Sequence, residues 1–462
     1  MEPAEYIPSE RGGQLLKLDG YLLSKNYTNR DRHHWKCRIT NCKVTAITED
    51  NAVVNKKGDH IHPASQKSVL KSAIHNAKQD ACAHPLKPMK RVFQEAFRGV
   101  DLENEEILDD LPSMKRYKSS LYRARSKRLP KIPHSRAEII LDGAWTKTED
   151  GRNFVLVNDG VADRLIIFGT SQNVRLLCQA DTLYMDGTFK MAPEMFQQIY
   201  SIHVKVMGAM VPVAVALLPR KDEATYTRMF RLLKAAAQQF GHVLDPQNVC
   251  IDFEQAMMAS VQAMFPNCRI RGCLFHFSQA VWRHVQSLGL SRRYIENPQF
   301  KRVVRRVFSL PLVPINRVDD VWLEALNEID DPQEIRFCDY VTETWVDEVV
   351  AKFPREIWNQ YTNIGGERTN NHLEGWHSAL NRELGRPHPN IFALIEIFRN
   401  EQHKMEDQLR LLRAGDAPPQ QRAVYRRVTE RLVRLQQRLQ AQDITVYHYA
   451  GAVGGILKVP KM

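Results

Sequence analysis

Long apolar runs are absent from this sequence: none approaches the roughly 20 residues that span a bilayer, which excludes a helical membrane protein. A regular cysteine framework is absent too. Eight cysteines are scattered over 462 residues without a framework, and no signal peptide opens the chain. Reduced thiols in the cytosol or nucleus are therefore expected, rather than a disulfide-stapled secreted domain. Acidic residues are missing altogether from residues 113–136. What is present is a 43% apolar composition, enough for a sizeable core, on a chain too long for one ordinary domain; two or three are expected. The net charge of +12 favours a polyanionic partner. Its distribution decides more than its size, because many basic proteins bind nothing anionic.

Residues 1–66 carry a pattern of their own. Leu15-Leu16-Lys17-Leu18-Asp19-Gly20-Tyr21-Leu22-Leu23 reads as short strands around a turn. Cys37 and Cys42 follow with four residues between them, then His60 and His62 flanking one. Two thiols and two imidazoles are a set that Zn²⁺ takes tetrahedrally. Strand alternation points residues i and i+2 to one face, so one ion can take both histidines. A segment this small builds little core, and a metal staple meets that need. The plain alternative is two buried thiols and a loop holding two histidines, with His33 and His34 as spare donors. Gly20-Tyr21, Trp35-x-Cys37-Arg38, Cys42 and His60-x-His62 together resemble the FLYWCH-type zinc finger, a DNA- or protein-binding module. The resemblance implies Cys37, Cys42, His60 and His62 as the zinc ligands.

Residues 67–149 read as a helical, basic linker. An acidic stretch, 101–110, gives way to nine Lys or Arg between 113 and 136, with Tyr117 and Tyr122 interleaved. Lys115, Arg116, Lys118, Arg123, Arg125, Lys127 and Arg128 are DNA-contact candidates, each able to displace a counterion condensed on a phosphate backbone. A solvated helix face or a nuclear-import signal is the alternative. Cys82 and His84 are two donors, too few for a metal site, and read as structural.

The chemistry is expected in residues 150–405. Two strand-like runs each deliver an acid, Leu183-Tyr184-Met185-Asp186 and Val249-Cys250-Ile251-Asp252. A carboxylate at the end of a buried strand is rigidly held yet opens to solvent. Two on neighbouring strands make a hard-cation site suited to Mg²⁺ or Mn²⁺. Patterning predicts a hairpin over 154–167, strands over 183–186, 196–206 and 210–218, and a helix over 222–240. It continues with strands over 249–252 and 269–273, each followed by a helix, 255–265 and 275–288. Three strands followed by alternating helix and strand is an α/β arrangement, helices covering a mixed sheet. The order resembles the ribonuclease-H-like fold, which implies that acids on the first and fourth strands lie side by side.

That order places a third carboxylate on a helix beyond the fifth strand. Glu374 is chosen there, on a helix capped by Asn370 or Asn371, with Glu367 and Glu383 as rivals. Asn370, Asn371, His377 and Asn381 give this helix more polar groups than a surface needs. Singly, Asp186 reads as an Asp-Gly turn and Asp252 as a helix cap; the set of three reads as a two-metal site. Glu254 either assists or faces solvent. Cys273 and His276 are too few for zinc and read as local structure or a DNA-facing histidine. Residues 290–365 read as a helical insertion, where Lys301, Arg302, Arg305 and Arg306 fit phosphate contacts or a solvated face equally. Residues 406–462 form a helical tail: 391–414 and 420–442 make an αα-hairpin closing over the core, and 443–462 is a loose end. A dimer contact there is less supported, so a homo-oligomer is compatible but not required.

Residues 150–405 resemble the transposase domain of Mutator-like elements (MULE), a DDE-type group. The matching pieces are Asp186-Gly187-Thr188-Phe189, Pro193-x-x-Phe196-Gln197-Gln198, Tyr226, Asp252-Phe253-Glu254, Gly272-Cys273-x-x-His276 and Arg368-Thr369-Asn370-Asn371-x-x-Glu374. The resemblance implies Asp186, Asp252 and Glu374 as a catalytic triad for two Mg²⁺ or Mn²⁺ ions, and Cys273 and His276 as the family's Cys-x-x-His element. It implies two-metal cleavage and transfer of double-stranded DNA bearing terminal inverted repeats, in the nucleus. From a different class, the alternative is a domesticated DNA-binding regulator that keeps the fold and no longer cuts.

Overall fold

The computed structural model describes residues 2–9, 13–63, 66–84, 87–98, 113–127, 129–327, 329–385, 387–420 and 422–457. The acidic stretch 101–110 and Arg128 lie outside the described residues. The chain falls into two compact units, Met1–Ile132 and Pro133–Met462, so the basic helical region groups with the Cys/His segment.

The first unit is built on a seven-stranded antiparallel sheet. Its strands are β1 (Glu2–Pro3), β2 (Glu5–Pro8), β3 (Gln14–Leu18), β4 (Tyr21–Asn29), β5 (Arg32–Cys37), β6 (Thr45–Glu49) and β7 (Ala52–Lys57), in the order β1-β7-β6-β5-β4-β3-β2. Asp19-Gly20 and Asp50-Asn51 take positive φ at both central positions of the β3–β4 and β6–β7 turns, the twist a two-residue hairpin demands. Leu16, Leu18, Leu23, Trp35 and Ala46 form the core, and Trp35 Nε1 donates to Thr48 Oγ1 at 2.8 Å. Helices α1 (Gln66–Ala83), α2 (Met89–Ala96) and α3 (Met114–Ser126) close round Ala77, Ala81, Val92 and Leu121.

The second unit is mixed α/β. Strands β8 (Val155–Asp159), β9 (Leu165–Phe168), β10 (Thr182–Thr188), β11 (Gln198–Val206), β12 (Ala209–Leu218), β13 (Asn248–Ile251) and β14 (Arg269–Gly272) run in the order β14-β13-β10-β11-β12-β9-β8. β10, β13 and β14 are parallel; the remaining neighbours are antiparallel. Residues 198–204 of β11 are buried without interruption, as a strand covered on both faces must be. The covering helices include α4 (Ser171–Gln179), α5 (Glu223–Gln239) and α6 (Gln255–Met264). Asp222 caps α5 by accepting from the Thr225 N–H at 2.8 Å.

A second apolar body follows. Helices α7 (Leu274–Ser287), α8 (Ser291–Glu296), α9 (Pro298–Ser309), α10 (Val318–Leu326), α11 (Pro332–Val341) and α12 (Arg355–Trp358) pack around Phe277, Phe300, Phe308, Phe337 and Trp345. Beyond them lie α13 (Asn371–Leu384), α14 (Ile391–Arg413), α15 (Ala423–Gln440) and α16 (Val446–Ile456). The hairpin of α14 and α15 does not simply close over the sheet. Met405, Leu409 and Leu412 of α14 join the sheet core, whereas Leu432 of α15 joins the insertion's core.

The expected loose end is instead helix α16, a correction with a clear cause. Val446, Tyr449, Ala450 and Val453 are buried, and the Tyr449 hydroxyl donates to the Leu312 carbonyl at 2.7 Å. Gly451, Gly454 and Gly455 lower intrinsic helix propensity and so hide the helix in the sequence. The smallness of Gly454 is what lets α16 sit on α9: a Cβ there would lie 2.4 Å from the Arg305 carbonyl oxygen.

Candidate metal centre and active site

In the first unit, β5 delivers Cys37, a turn through Asn41 (φ 72°) returns Cys42, and the segment after β7 brings His60 and His62 alongside. Their four ligand atoms all lie within 4.8 Å of one another. Cys37 Sγ is 3.3 Å from His62 Nε2, Cys42 Sγ is 3.4 Å from His60 Nδ1, and the two imidazole nitrogens are 3.3 Å apart. Zn–N near 2.0 Å and Zn–S near 2.3 Å require tetrahedral edges of about 3.3–3.8 Å. The donors therefore fit zinc.

Supporting contacts aim the rings. The Tyr21 ring stacks on His60 with centroids 3.5 Å apart, and its hydroxyl donates to the His62 carbonyl at 3.1 Å. His62 Nδ1 lies 2.9 Å from the Pro63 carbonyl, which turns Nε2 toward the thiols. The spare donors are engaged elsewhere, His33 with Thr28 at 3.1 Å and His34 stacked on Tyr27. His84 pairs with Asp80 at 2.6 Å, and neither it nor Cys82 enters a metal grouping among the described residues.

In the second unit, register aligns the first two acids. β10 pairs in parallel with β13 as Thr182↔Asn248, Leu183↔Val249 and Tyr184↔Cys250, the offset that separates Asp186 from Asp252. Adjacent strands lie about 4.8 Å apart, so the two carboxylates leave the sheet side by side. Asp186 is only 8% exposed. Its Oδ1 accepts from the Gly187 N–H at 2.9 Å, and its Oδ2 lies 3.4 Å from His377 Nδ1. Ser201 on β11 is 3.0 Å from His377 Nε2 and sets that ring.

Asn370 brings in the third acid. It occupies the N-cap position of α13, yet its side chain makes no cap bond, which corrects the expected capping role. Instead its Nδ2 donates to the Met185 carbonyl at 3.1 Å, its Oδ1 accepts from the Cys250 thiol at 3.2 Å, and its own N–H reaches Cys273 Sγ at 3.1 Å. One fully buried residue thus ties the start of α13 to β10 and β13 through its side chain and to the residue that opens α7 through its backbone N–H. Glu374 follows on the next turn. Of the rivals, Glu367 pairs with Lys205 at 2.9 Å and Glu383 with Lys404 at 3.4 Å.

His276, on the first turn of α7, lies among the acids, its Nε2 3.8 Å from Glu374 Oε1. Burial pulls this imidazole down, but Cys273, Asp186 and Asp252 outweigh burial and hold it up at about 9. Burial pushes Asp252 up, with Asp186 adding and His276 opposing. Burial likewise pushes Glu374 up, again against His276. Glu254 is half-buried rather than solvent-facing; both its oxygens accept from the Tyr226 hydroxyl at 3.0 and 3.1 Å, and Lys221 lies 3.5 Å away. Buried and half-buried hard-oxygen donors that repel one another suit a divalent cation such as Mg²⁺ or Mn²⁺. The acids are more widely spaced than the zinc ligands: among the described residues, only the Cys/His set gathers three or more donor atoms within 4.8 Å.

Of the basic candidates, Lys115, Arg116, Lys118, Arg123 and Lys127 are exposed along α3. Arg125 is half-buried and donates to the Lys87 carbonyl. In the insertion, Lys301 lies over the Tyr294 ring at 5.7 Å and Arg305 reaches the Tyr294 hydroxyl at 3.5 Å. Arg306 pairs with Glu324 at 2.8 Å and donates to the Tyr447 carbonyl, so it holds α16 to α9. Arg302 is exposed.

Residues 6–62 match the FLYWCH zinc finger domain, and residues 182–280 match the MULE transposase domain. The chain carries both domains. The FLYWCH match takes in all four zinc ligands. The MULE match runs from the first residue of β10 into α7, so it holds Asp186, Asp252, Cys273 and His276 and ends before Glu374. No curated protein matches the chain. Together the FLYWCH and MULE domains support a transposase-related, DNA-binding protein. Among the described residues no helix is long and apolar enough to cross a membrane. Of the residues around the acids, Asn370 lies within the Arg368–Glu374 motif and His377 stands three residues after Glu374 on the same helix face, whereas Ser201 leaves no trace in the sequence.

Proposed function

We propose that the MULE unit is a DDE-type transposase, or a host protein derived from one, that cleaves and transfers DNA strands at Asp186, Asp252 and Glu374. The observation that carries the reading is the β10–β13 register, which sets the two aspartates abreast at the ends of parallel strands. Counting β10 to β14 as first to fifth, their order is 5-4-1-2-3, in support of a ribonuclease-H-like core. Two Mg²⁺ or Mn²⁺ ions, when bound, supply Lewis-acid stabilisation of the attacking and leaving oxygens of an in-line displacement. The protein's part is to hold the three carboxylates. His377, set by Ser201, orients Asp186; Asn370 fixes where Glu374 starts; protonated His276 offsets charge among the acids. The exposed cations of α3 suit a phosphate backbone, and the FLYWCH finger adds a second DNA-binding element. Double-stranded DNA with terminal inverted repeats is the proposed substrate, the nucleus the proposed site, and a homo-oligomer the state that would pair two DNA ends.

The test is cleavage and joining of a mixed-sequence duplex library with Mn²⁺, wild type beside Asp186→Asn. Activity lost in the variant is expected. Salt-sensitive binding with no cleavage by either protein would replace this reading with that of a silent DNA-binding regulator.

A further inference from the structure

Phe189 stands three residues beyond Asp186 with its side chain 46% exposed. Isolated exposed apolar residues are ordinary. This one differs in being held out by an anchored backbone. Met191, Ala192 and Phe196, which follow it, are buried. The Ala192 N–H donates to the Phe189 carbonyl at 3.1 Å, the His388 N–H donates to the Lys190 carbonyl at 2.9 Å, and His388 Nδ1 lies 2.9 Å from the Ala192 carbonyl. These contacts hold the loop's backbone, so the ring is presented from an ordered turn rather than a fraying one.

The ring also has a cationic neighbour that belongs to the acid site. Lys221 Nζ lies 5.2 Å from the Phe189 centroid and 3.5 Å from Glu254 Oε2, two residues past Asp252. Phe189 therefore sits at the rim where the loops after β10 and β13, the strands of the two aspartates, meet. An ammonium over a ring fixes and polarises it. A rigid, exposed aromatic beside a cation is the element that stacks nucleobases of a single strand, whatever their sequence.

We propose that Phe189, backed by Lys221, is a stacking platform for an unpaired base of the DNA strand entering the acid site. The proposal rests on the DNA-processing reading above but names a separate contact. Phe189 is a positioning residue: it touches no reacting atom and sets where the strand lies.

The experiment measures binding of the full chain in Ca²⁺ buffer to two probes: a blunt duplex of about 20 base pairs, and the same duplex ending in an unpaired thymidine tail of about four nucleotides. Wild type is expected to favour the tailed probe by about tenfold, the scale of one base–aromatic stack. Phe189→Ala should bring the tailed-to-blunt ratio near one, and Phe189→Trp should keep or raise it. An unchanged ratio in Phe189→Ala, or a Trp variant no better than Ala, overturns the proposal, and because the ratio is internal, partial misfolding does not mimic either result. Mn²⁺ cleavage by the wild type is scored separately. No cleavage with a ratio that depends on Phe189 rejects the nuclease reading alone, whereas cleavage with an unchanged ratio rejects the platform alone.

Discussion

The two candidate metal centres are assembled in opposite ways. Cys37 and His62 are 25 residues apart, and turns and short strands bring their donors to 3.3 Å. Asp186, Asp252 and Glu374 come from two strands and from a helix beyond the insertion, and sheet register and one asparagine bring them together. The finger has little core, so its ion is part of its fold. Asp186 is buried and Asp252 and Glu374 are half-buried at the edge of a large core, with burial raising Asp252 and Glu374. The lesson is one of sign: the zinc ligands stabilise their unit, and the acids strain theirs.

Chelation is the sharpest way to break that contrast. Structural zinc contributes about 10–16 kcal/mol of apparent binding free energy in finger peptides, all of it coupled to folding. Chelation, or Cys37→Ser, should therefore unfold the β1–β7 sheet, read as collapse of its amide NMR dispersion. The acids should respond oppositely. A carboxyl raised in the folded state keeps its proton to higher pH than when unfolded, so its contribution to stability falls as pH rises above the ordinary carboxylate range. At pH 7 Glu374→Gln should raise the thermal midpoint of the second unit while abolishing cleavage. A finger that survives chelation, or a Gln variant that melts earlier, collapses the comparison.

Asn370→Ala should come next. It leaves the Met185 carbonyl and the Cys250 thiol without their buried partner, which costs about 1–3 kcal/mol. Cleavage should fall further than that loss of stability accounts for, because Glu374 is no longer set. Calorimetry beside a cleavage assay well below the midpoint separates the two, and equal melting with full cleavage would remove Asn370 from the site.

Much of this was legible in the chain. Strand alternation and apolar runs locate β10 to β14 within about two residues, and Cys/His spacing locates the zinc set, because both signals are local. Glu374 was the choice among three acids, and what sets it apart, its neighbour His276 at 3.8 Å where Glu367 meets Lys205 and Glu383 meets Lys404, is a tertiary pairing that no pattern displays. Asn370 signals a helix cap and serves as a tertiary tie, because the same amide can do either. Arg306 looks like a phosphate contact and is an internal anchor, because charge carries no record of its partner. Helix α16 hides behind three glycines, of which packing requires Gly454.

Acid should probe the second unit in a graded way. His203 is fully buried with Nε2 unpartnered, and burial first, then the neighbouring His372 and His377, holds it well below its ordinary value. Burial likewise lowers His372 to about 4. A histidine lowered in the folded state stays neutral while the unfolded chain takes up a proton, so stability is present above about pH 6.5 and lost as pH falls. Each such ring removes about 1.4 kcal/mol per pH unit below that value. Thermal midpoints at pH 7 and pH 5 should therefore diverge in the wild type and by less in His203→Gln, where His372 still contributes; an equal gap in both would show that the His203 ring does not titrate with unfolding.

The smallest expected effects separate surface cations from internal ones. Lys115, Arg116, Lys118, Arg123 and Lys127 face solvent along α3, whereas Arg305 and Arg306 hold Tyr294, Glu324 and the Tyr447 carbonyl. A cation that touches a phosphate releases a counterion, so its neutralisation lowers the slope of log affinity against log salt by about 0.9. Replacing the α3 cations one at a time by Gln should reduce that slope stepwise and leave melting unchanged, since exposed side chains contribute little to stability. Arg306→Gln should do the reverse, leaving the slope alone and lowering the midpoint by unseating α16 from α9. A slope that falls with Arg306 and not with the α3 residues would move the DNA track from the first unit to the insertion.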